Sequence, residues 1–375
     1  MNFEDIRPYH DAEVAEKIQK LLAEEQFQQV IEYVLPELPF EAFKQQLLAI
    51  DTVKEFQSKV IVPMLNKLLS KSAAGLSFNG TDKLEKGKHY LFISTHRDIV
   101  LDSALMNYIL LQEGFETAEI AIGDNLMKIP WVVDLVKLNK TFIVKRSLPK
   151  EQKVEGSMQL SGYINHTIRE KGESIWIAQR SGRSKDGDDR TNPSILKMFN
   201  LKGESSSVLD NLKGLQICPV SISYEFNPCD ALTLPELIKV SKGEKYEKEP
   251  MEDMMHMAQG IEGRKGRIEV SFGKPISKSL DQLEGISNRN ELLASVAKLI
   301  DNEIHATYKL MSTNFIAYDL LNSSQQFAEK YTAAEMEEFQ AYMSTKLEGV
   351  DAEEALKRET FLKMYANPVS NKLAL

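Results

Sequence analysis

Cysteine is scarce in this chain, and several catalytic motifs are missing from it. The two cysteines, Cys218 and Cys229, lack CxxC spacing, and Cys218 lies in a strand-like apolar run, so we expect a buried thiol rather than a disulfide bridge. Neither a G-x-S-x-G elbow nor a Walker loop occurs, which argues against a serine hydrolase and a P-loop enzyme. No two histidines are spaced as i, i+4 ligands, so neither a metal nor a cofactor is expected.

Long apolar runs are also absent. Nowhere do about 18 apolar residues follow one another, so no membrane-spanning helix is predicted. The chain opens with Met-Asn-Phe-Glu-Asp, which is acidic and lacks the apolar core of a signal peptide. We therefore expect a cytoplasmic protein, with peripheral contact at the cytoplasmic face of the membrane as an alternative. The stretch 60–71, apolar with lysines toward its end, fits either such contact or packing against the next domain.

A surplus of basic residues is missing as well. The 375 residues include 46 Lys or Arg and 55 Asp or Glu, which gives a net charge of -9, whereas a general nucleic-acid binder is usually basic. Nucleic acid is therefore not an expected partner, and any anion site must be local. With 42% hydrophobic and 27% charged residues, the chain has room for one large core and an accessory domain.

The order of the apolar segments predicts an α/β fold. Residues 1–78 have helical periodicity and are predicted to form an N-terminal helical domain. In residues 79–286, short apolar runs alternate with helical patterns, which predicts a central, mostly parallel sheet flanked by helices. Residues 287–375 are predicted to form a C-terminal helical extension. The predicted strands are 90–93, 118–122, 141–144, 174–178, 217–224 and 267–272.

A histidine and two aspartates follow the first predicted strand. The strand ends at Ser94, so His96 lies where parallel strands deliver side chains to a cleft. Imidazole can take the proton of an attacking hydroxyl, and a carboxylate on its other nitrogen fixes the tautomer. Asp98 is suited to cap the following helix, and Asp102 lies about one helical turn further on. Such a pair also arises by chance, and His96 would then be a capping or core residue.

Two other predicted strands end in basic residues. The strand 141–144 is followed by Lys145 and Arg146, and the strand 174–178 leads into a basic loop that contains Gly182, Arg183 and Ser184. Arginine offers a forked set of donors, and glycine lets the backbone approach a phosphate. A solvated charged loop is the alternative for either run alone. Residues 137–153 carry six Lys or Arg against one Glu, which contrasts with the acidic whole.

Together, these segments resemble the glycerolipid acyltransferase family, which includes glycerol-3-phosphate and 1-acylglycerol-3-phosphate acyltransferases. Five blocks follow the family's order over roughly residues 85–280. They are His96-Arg97 with a later Asp for the H-x-x-x-x-D motif, Phe142-Ile143-Val144-Lys145-Arg146, Gly182-Arg183-Ser184 for the E-G-x-R-S loop, Cys218-Pro219-Val220 with the strand that follows, and Phe272-Gly273-Lys274-Pro275-Ile276.

The resemblance implies roles for particular residues. His96 would be the catalytic base, and the acceptor's phosphate would be held by Arg146 and Arg183. The neighbouring residues of the same blocks, Lys145, Arg97 and Ser184, would complete the phosphate-binding set. Pro219 and Val220 would shape the pocket for the acyl donor. The helices before and after the core resemble the glycerol-3-phosphate acyltransferases more than the small membrane-anchored lysophosphatidate enzymes.

The sequence departs from the family pattern in two ways. Five residues, rather than four, separate His96 from Asp102. Because a loop can absorb one extra residue, we prefer Asp102 as the partner of His96 and keep Asp98 as the second choice. The third block lacks its glutamate, because Arg180 or Ser181 stands where it is expected. If that carboxylate orients a loop or the substrate, activity or acceptor preference would differ here.

We therefore expect an O-acyltransferase of phospholipid biosynthesis. It would move a fatty acyl group from acyl carrier protein or coenzyme A to a hydroxyl of glycerol 3-phosphate or 1-acylglycerol 3-phosphate, and an acidic carrier could dock on residues 137–153. The alternative is a binding protein that keeps the lipid-phosphate cleft, or holds an acyl carrier, without turnover. A third reading is hydrolysis of the thioester by water. The cluster Met254-Met255-His256-Met257 would line an acyl channel or, more simply, fill a gap in the core.

Overall fold

A seven-stranded sheet forms the centre of the protein in this computed structural model, which describes residues 2–127 and 129–375. Met1, the first residue of the predicted N-terminal domain, lies outside the described residues, as does Lys128. The strands are β1 (Ala73–Asn79), β2 (Leu91–Ser94), β3 (Glu119–Gly123), β4 (Thr141–Val144), β5 (Ile175–Ala178), β6 (Ile217–Tyr224) and β7 (Gly266–Phe272). Their order across the sheet is β1-β7-β6-β2-β5-β3-β4.

Most neighbouring strands run parallel. β2 lies between β5 and β6, and all three run in the same direction, with Ser94 opposite Ala178 on one side and Val220 on the other. The pairs β3–β5, β3–β4 and β1–β7 are also parallel, and only β6 and β7 pair antiparallel among the described residues. The predicted α/β fold with a mostly parallel sheet is confirmed. Parallel strands need long crossover connections, which explains why helices lie between them in the sequence.

Helices cover the sheet and extend beyond it at both ends of the chain. They are α1 (Asp11–Leu22), α2 (Glu25–Val34), α3 (Phe40–Leu48), α4 (Val53–Phe56), α5 (Val62–Ser72), α6 (Leu101–Gln112), α7 (Pro130–Leu138), α8 (Lys153–His166), α9 (Pro193–Phe199), α10 (Val208–Gly214), α11 (Asp230–Ser241), α12 (Glu252–Glu262), α13 (Arg289–Thr307), α14 (Ser312–Asn322), α15 (Ala333–Leu347) and α16 (Glu354–Leu373). Single π-helical turns, Gln57–Ile61 and Thr167–Lys171, connect α4 to α5 and end α8.

The two faces of the sheet bury alternate residues of the same strands. On one face, Leu91 and Ile93 of β2 pack in a cluster with residues of α8, α9, α10 and α13. On the other face, Phe92 packs with Trp176 and Val220 against α5 and α6. Because side chains in a strand point alternately to opposite faces, a strand covered on both sides must be apolar throughout. This is why the short continuous apolar runs were readable as strands.

β1 was not predicted, since residues 1–78 were expected to be helical, and that expectation is wrong for residues 73–78. The strand Ala73–Asn79 crosses the predicted boundary at residue 78 and pairs with β7, with Leu76 opposite Ile268. Most of its residues are exposed, as befits the edge of a sheet, and Ala-Ala-Gly has little strand preference. The pairing therefore depends on a segment more than 190 residues away, which local patterns do not reveal.

The remaining segments agree with the expected helical ends. Residues 289–373 form the helices α13 to α16, and a separate apolar cluster joins α14, α15 and α16 to α11. In the stretch 60–71, Val60 and Leu65 are buried in two different clusters, so this stretch packs within the protein. Cys218 and Cys229 are free and buried, as predicted for Cys218.

No helix of the described residues combines the length and the apolar character needed to cross a bilayer.

Two glycines offer a test of how tightly β1 is joined to the sheet. Gly80 and Gly87 have nearly the same left-handed backbone, with φ of +81° and +80°. A Cβ on Gly80 would overlap the carbonyl oxygen of Phe272 at the end of β7, whereas a Cβ on Gly87 would meet nothing within 4 Å.

Both Gly80→Ala and Gly87→Ala should be destabilising because both place a side chain at positive φ. Gly80→Ala should cost a further 1–3 kcal/mol, roughly, because of the steric overlap. Urea unfolding of the two variants measures this difference. Equal losses of unfolding free energy would contradict the packing described for Gly80.

Candidate active site

His96 lies at the carboxyl end of β2, two residues beyond its last residue. Its Nδ1 is 2.9 Å from Oδ2 of Asp102 on the first turn of α6, and its ring packs edge-on against Trp176 with 5.5 Å between the ring centres. The His96 side chain is 16% exposed, while that of Asp102 is completely buried. The buried carboxylate of Asp102 therefore binds one nitrogen of the His96 ring, while part of the ring remains exposed to solvent. The spacing of five residues brings Asp102, rather than Asp98, to His96.

The carboxylate of Asp102 is surrounded by donors. Besides His96, its Oδ2 accepts hydrogen bonds from the backbone N–H groups of Arg97 at 2.6 Å and Asp98 at 2.9 Å. Its Oδ1 accepts one from the hydroxyl of Tyr224 at 2.8 Å. Burial, together with the nearby Asp102, raises the pKa of Tyr224 well above its usual value, so the hydroxyl keeps its proton. These bonds stabilise the charged carboxylate in a buried position and fix its orientation.

Asp98 has a different role in the structure. Its Oδ1 accepts hydrogen bonds from the backbone N–H groups of Val100 and Leu101, both at 2.8 Å, and so it closes the turn that begins α6. Its Oδ2 is buried and has no partner among the described residues. Burial is the main cause that raises the pKa of Asp98. A Cβ on Gly260 of α12 would overlap this oxygen, so α12 lies directly against Asp98.

The basic loop after β5 is hydrogen-bonded to the histidine loop, which is the loop after β2 that carries His96. The backbone N–H of Ser184 donates to the carbonyl oxygen of His96 at 2.7 Å. Arg183, the residue before it, is only 8% exposed, and its Nη2 donates to Nδ1 of His256 on α12 at 2.7 Å. The described residues hold no carboxylate within ion-pairing distance of Arg183. A cation without a counter-charge therefore lies one residue from the contact with His96.

Arg97, by contrast, has its charge compensated. Its Nη2 lies 2.6 Å from Oδ2 of Asp189, and the hydroxyl of Tyr308, at the end of α13, donates to the same carboxylate. Its Nη1 donates to the carbonyl oxygen of Ser184 at 3.3 Å. The guanidinium thus ties the histidine loop, the basic loop and the C-terminal helices together.

Arg146 and Lys145 lie at the same edge of the sheet, but further away. Three strand spacings separate β4 from β2, which is about 14 Å. The Arg146 side chain bends toward the centre of the sheet, since a Cβ on Gly123 at the end of β3 would lie 3.1 Å from its Nε. Lys145 instead forms an ion pair with Asp5. Of these two cations, Arg146 is the one whose side chain lies against the neighbouring strand β3.

Pro219 and Val220 are part of β6. They lie opposite Ile93 and Ser94 of β2, and Val220 is completely buried. The carbonyl oxygen of Pro219 accepts a hydrogen bond from the backbone N–H of Gly273 at 2.8 Å. In this arrangement they support the end of β2.

The basic stretch 137–153 is less exposed than its composition indicates. Lys137 is buried, and Lys140 and Lys145 form ion pairs with carboxylates. Lys150 and Lys153 remain exposed at the surface. Fewer than six cations of this stretch are therefore available to an acidic partner.

Several residues around the site were missed by the sequence analysis or given no role there. Tyr224 ends a predicted strand but was given no role, and His256 was expected to line an acyl channel or to fill a gap in the core. Asp189 was not considered, although its position in the loop after the basic residues is a weak signal. Gln179, the first residue after β5, is completely buried, and both polar atoms of its amide lack a partner among the described residues. It lies next to the position where the missing glutamate was sought.

The described residues contain no group of three or more His, Cys, Asp or Glu side chains arranged to hold a metal ion.

A histidine held by a buried aspartate, beside an unneutralised arginine at the carboxyl ends of parallel strands, is an arrangement suited to transfer between an alcohol and an activated acyl group. The family model named Acyltransferase matches residues 75–223, a range that holds His96, Asp102, Arg183 and Val220. Residues 75–223 of the chain thus match the acyltransferase family that its motifs resemble.

Curated relatives point in the same direction. The glycerol-3-phosphate acyltransferase of Pseudomonas paraeruginosa is 23% identical over 291 residues, which is 72% of this chain and 33% of that protein. The glycerol-3-phosphate acyltransferase of Pseudomonas fluorescens is 26% identical over 208 residues, 54% of this chain and 23% of that protein. The chain therefore spans about a third or less of the length of these relatives. Among solved structures, it is similar to the 1-acyl-sn-glycerophosphate (LPA) acyltransferase PlsC from Thermotoga maritima, with a TM-score of 0.36 and 15% identity over 76% of this chain and 93% of that chain.

His256 should give the stability of the protein a measurable pH dependence. Burial, followed by the charges of Arg183 and Lys185, lowers the pKa of His256 from 6.5 to about 4. Because the folded pKa lies below the unfolded one, the neutral imidazole contributes stability above pH 6.5, and this contribution is lost as the pH falls toward 4.

His256→Asn keeps a neutral acceptor but does not titrate. Between pH 7 and about 4, the unfolding free energy of the variant should therefore fall less steeply than that of the unchanged protein. Urea titrations at several pH values measure both slopes, and identical slopes would contradict a buried, neutral His256.

Proposed function

We propose that this chain is an O-acyltransferase that moves a fatty acyl group from acyl-CoA or acyl carrier protein to a hydroxyl of glycerol 3-phosphate or 1-acylglycerol 3-phosphate. The observation that carries this proposal is the hydrogen bond between His96 and the buried Asp102, directly beside the loop that holds Arg183. The acyltransferase family match and the glycerol-3-phosphate acyltransferase relatives support the same reaction class.

The proposed reaction needs no covalent enzyme intermediate. Asp102 accepts the Nδ1–H of His96, so that Nε2 has a free lone pair. Nε2 takes the proton of the acceptor hydroxyl while its oxygen attacks the thioester carbonyl carbon. The tetrahedral intermediate then breaks its C–S bond, and the departing thiolate takes the proton from the imidazolium. Asp102 stabilises the transient positive charge, and its own partners prevent it from turning away.

Arg183 is the proposed ligand of the acceptor's phosphate. It lies in the loop that is hydrogen-bonded to His96, and no carboxylate of the described residues lies within ion-pairing distance of its guanidinium. Arg146 follows β4 at the same edge of the sheet and lies against Gly123 of β3, and we propose that it binds the phosphate from that side. For Arg97 we propose a supporting role, since Asp189 already neutralises its charge. Lys145 is committed to Asp5 and so contributes less than expected.

The acyl donor would approach from the same side. Both coenzyme A and acyl carrier protein are acidic, and the exposed Lys150 and Lys153 follow Arg146 in the sequence. A donor docked there would lie beside the carboxyl end of β4. The choice between the two donors is an outcome of the assay below.

Thioester consumption tests the proposal directly. Purified protein is incubated with palmitoyl-CoA or palmitoyl acyl carrier protein, with and without glycerol 3-phosphate or 1-acylglycerol 3-phosphate, and free thiol is measured. Release of thiol only with an acceptor, together with the acylated product, supports the acyltransferase. Thiol release without any acceptor indicates hydrolysis. Tight binding of an acceptor with no thiol release indicates a binding protein and would overturn the proposed function.

His96→Ala should lower kcat by about 10²–10⁴-fold, since the general base is lost. Asp102→Asn should lower it by a similar factor, because an amide favours the wrong tautomer. Asp98→Asn keeps the oxygen that caps α6 and should retain most of the activity. Steady-state rates of thiol release measure these effects.

His166→Ala serves as the control for histidine removal, because that partly exposed side chain of α8 contacts Glu170 and the ring of Phe3, and neither of these belongs to the site. Near-normal activity in His96→Ala, or loss of activity in Asp98→Asn alone, would exclude the proposed base pair.

The arginines should separate into two classes. Arg183→Ala should raise the KM for the acceptor roughly tenfold or more, with a smaller effect on the KM for the donor. Arg97→Ala should chiefly lower the unfolding free energy, by about 3–5 kcal/mol, because it leaves the buried Asp189 unpaired.

Arg289→Ala, at an exposed position at the start of α13, is the control for removing a positive charge. Kinetics with each substrate varied in turn, and urea unfolding, measure the two effects. The assignment is wrong if Arg183→Ala leaves the KM for the acceptor unchanged.

A further inference from the structure

α12 packs against the site, where its Gly260 lies against Asp98 and its His256 contacts Arg183. His256 is 1% exposed, and its Nδ1 lies 2.7 Å from Nη2 of Arg183. A guanidinium can only donate, so Nδ1 must carry the lone pair and the proton of the neutral ring must be on Nε2. The position of the ring is further fixed at its backbone, where the carbonyl oxygen of His256 accepts from Sγ of Cys229 at 3.3 Å.

A carboxylate is available nearby but is turned to other partners. Glu252 lies one helical turn before His256, and its Oε1 is 3.9 Å from Nε2 of the ring. Its other oxygen, Oε2, accepts from the hydroxyl of Tyr246 at 2.7 Å and from the backbone N–H of Glu249 at 3.2 Å. Glu252 thus lies behind the imidazole, which separates it from Arg183. The partner that touches the guanidinium is uncharged.

The two buried arginines of the site illustrate what this difference means. Arg97 donates to the carboxylate of Asp189, which cancels its charge and leaves little attraction for a second anion. Arg183 donates to an imidazole, which fixes one arm of the fork and keeps the full positive charge. A guanidinium that is oriented but not neutralised is suited to bind a phosphate.

We infer that His256 is a positioning residue for the acceptor site, which orients Arg183 toward the phosphate while leaving its charge uncompensated. This inference rests on the proposed function in so far as Arg183 binds the acceptor's phosphate. It gives α12 a part in acceptor recognition and adds a residue that lies 73 positions from Arg183 in the sequence. His256 acts through Arg183 and takes no part in proton transfer.

A purely structural role for His256 makes a different prediction. If the imidazole only satisfies a buried N–H group, any acceptor of similar size should replace it, and a carboxylate should do so best because it adds an ion pair. If the neutral charge matters, a carboxylate at this position should compete with the phosphate for Arg183. The variants His256→Asn and His256→Asp are nearly identical in shape and differ in this charge alone.

Isothermal titration with glycerol 3-phosphate and with 1-acylglycerol 3-phosphate, using the full chain, measures acceptor affinity without turnover. His256→Asn should keep the Kd within about threefold, and His256→Asp should weaken it at least about tenfold. His256→Leu, which removes the acceptor atom, should also weaken binding. Met255→Ala, exposed on the same helix, is the control and should bind like the unchanged protein.

A double-mutant cycle tests whether His256 acts through Arg183. In the Arg183→Ala background, His256→Asp should have no further effect on the Kd. Thermal unfolding of each variant checks that the fold is kept; a purely structural role would change the unfolding temperature without making His256→Asp bind the acceptor more weakly than His256→Asn.

The outcomes separate this inference from the proposed function. Equal or tighter binding by His256→Asp than by His256→Asn overturns the inference, whether or not the protein turns over thioesters. Additive effects of the Arg183 and His256 substitutions also overturn it. Absence of turnover with normal acceptor binding and the expected order of affinities would leave the inference standing and remove only the proposed catalysis. Failure of the unchanged protein to bind either acceptor would overturn both.

Discussion

The site depends on the hydrogen bonds that the buried carboxylate of Asp102 accepts. Four donors from two segments converge on it: the His96 ring and two backbone N–H groups of the loop after β2, and the hydroxyl of Tyr224 at the end of β6. An ionised carboxylate buried without such partners would be strongly destabilising. The same bonds therefore stabilise the buried negative charge of Asp102, fix the conformation of the loop after β2, and hold the His96 ring with Nδ1 toward Asp102.

The sheet explains why these donors can converge. β2 lies between β5 and β6 and runs parallel to both, so the carboxyl ends of β2, β5 and β6 lie side by side at one edge of the sheet. The first brings His96, the second the loop with Arg183, and the third Tyr224. The rest of the fold supports this edge from both ends of the chain: α12 packs against Asp98 through Gly260, and Tyr308 of the C-terminal helices reaches Asp189.

Features that depend on nearby residues could be predicted from the sequence, and features that depend on residues far apart in the chain could not. Strands buried on both faces are continuous apolar runs, and six of the seven were recognised on that basis, whereas β1 depends on pairing with β7 and has no local signature. Asp102 could be preferred because a loop can absorb the one extra residue in its motif. Tyr224 and His256 could not be assigned, since their partners Asp102 and Arg183 are 122 and 73 residues away. Tertiary contacts of that kind leave no periodic pattern in the chain.

The arginines show why a motif does not define a site by itself. Arg97 and Arg183 both belong to blocks of the acyltransferase pattern, both are at least largely buried, and both lie beside His96. Their partners nevertheless give them opposite electrostatic characters: the carboxylate of Asp189 cancels one charge, and the imidazole of His256 leaves the other intact. Since an anionic substrate responds to net charge, the ability to bind phosphate depends on the neighbour as much as on the arginine. Under the proposed function, recognition of the acceptor thus depends partly on α12, which lies outside the acyltransferase motifs.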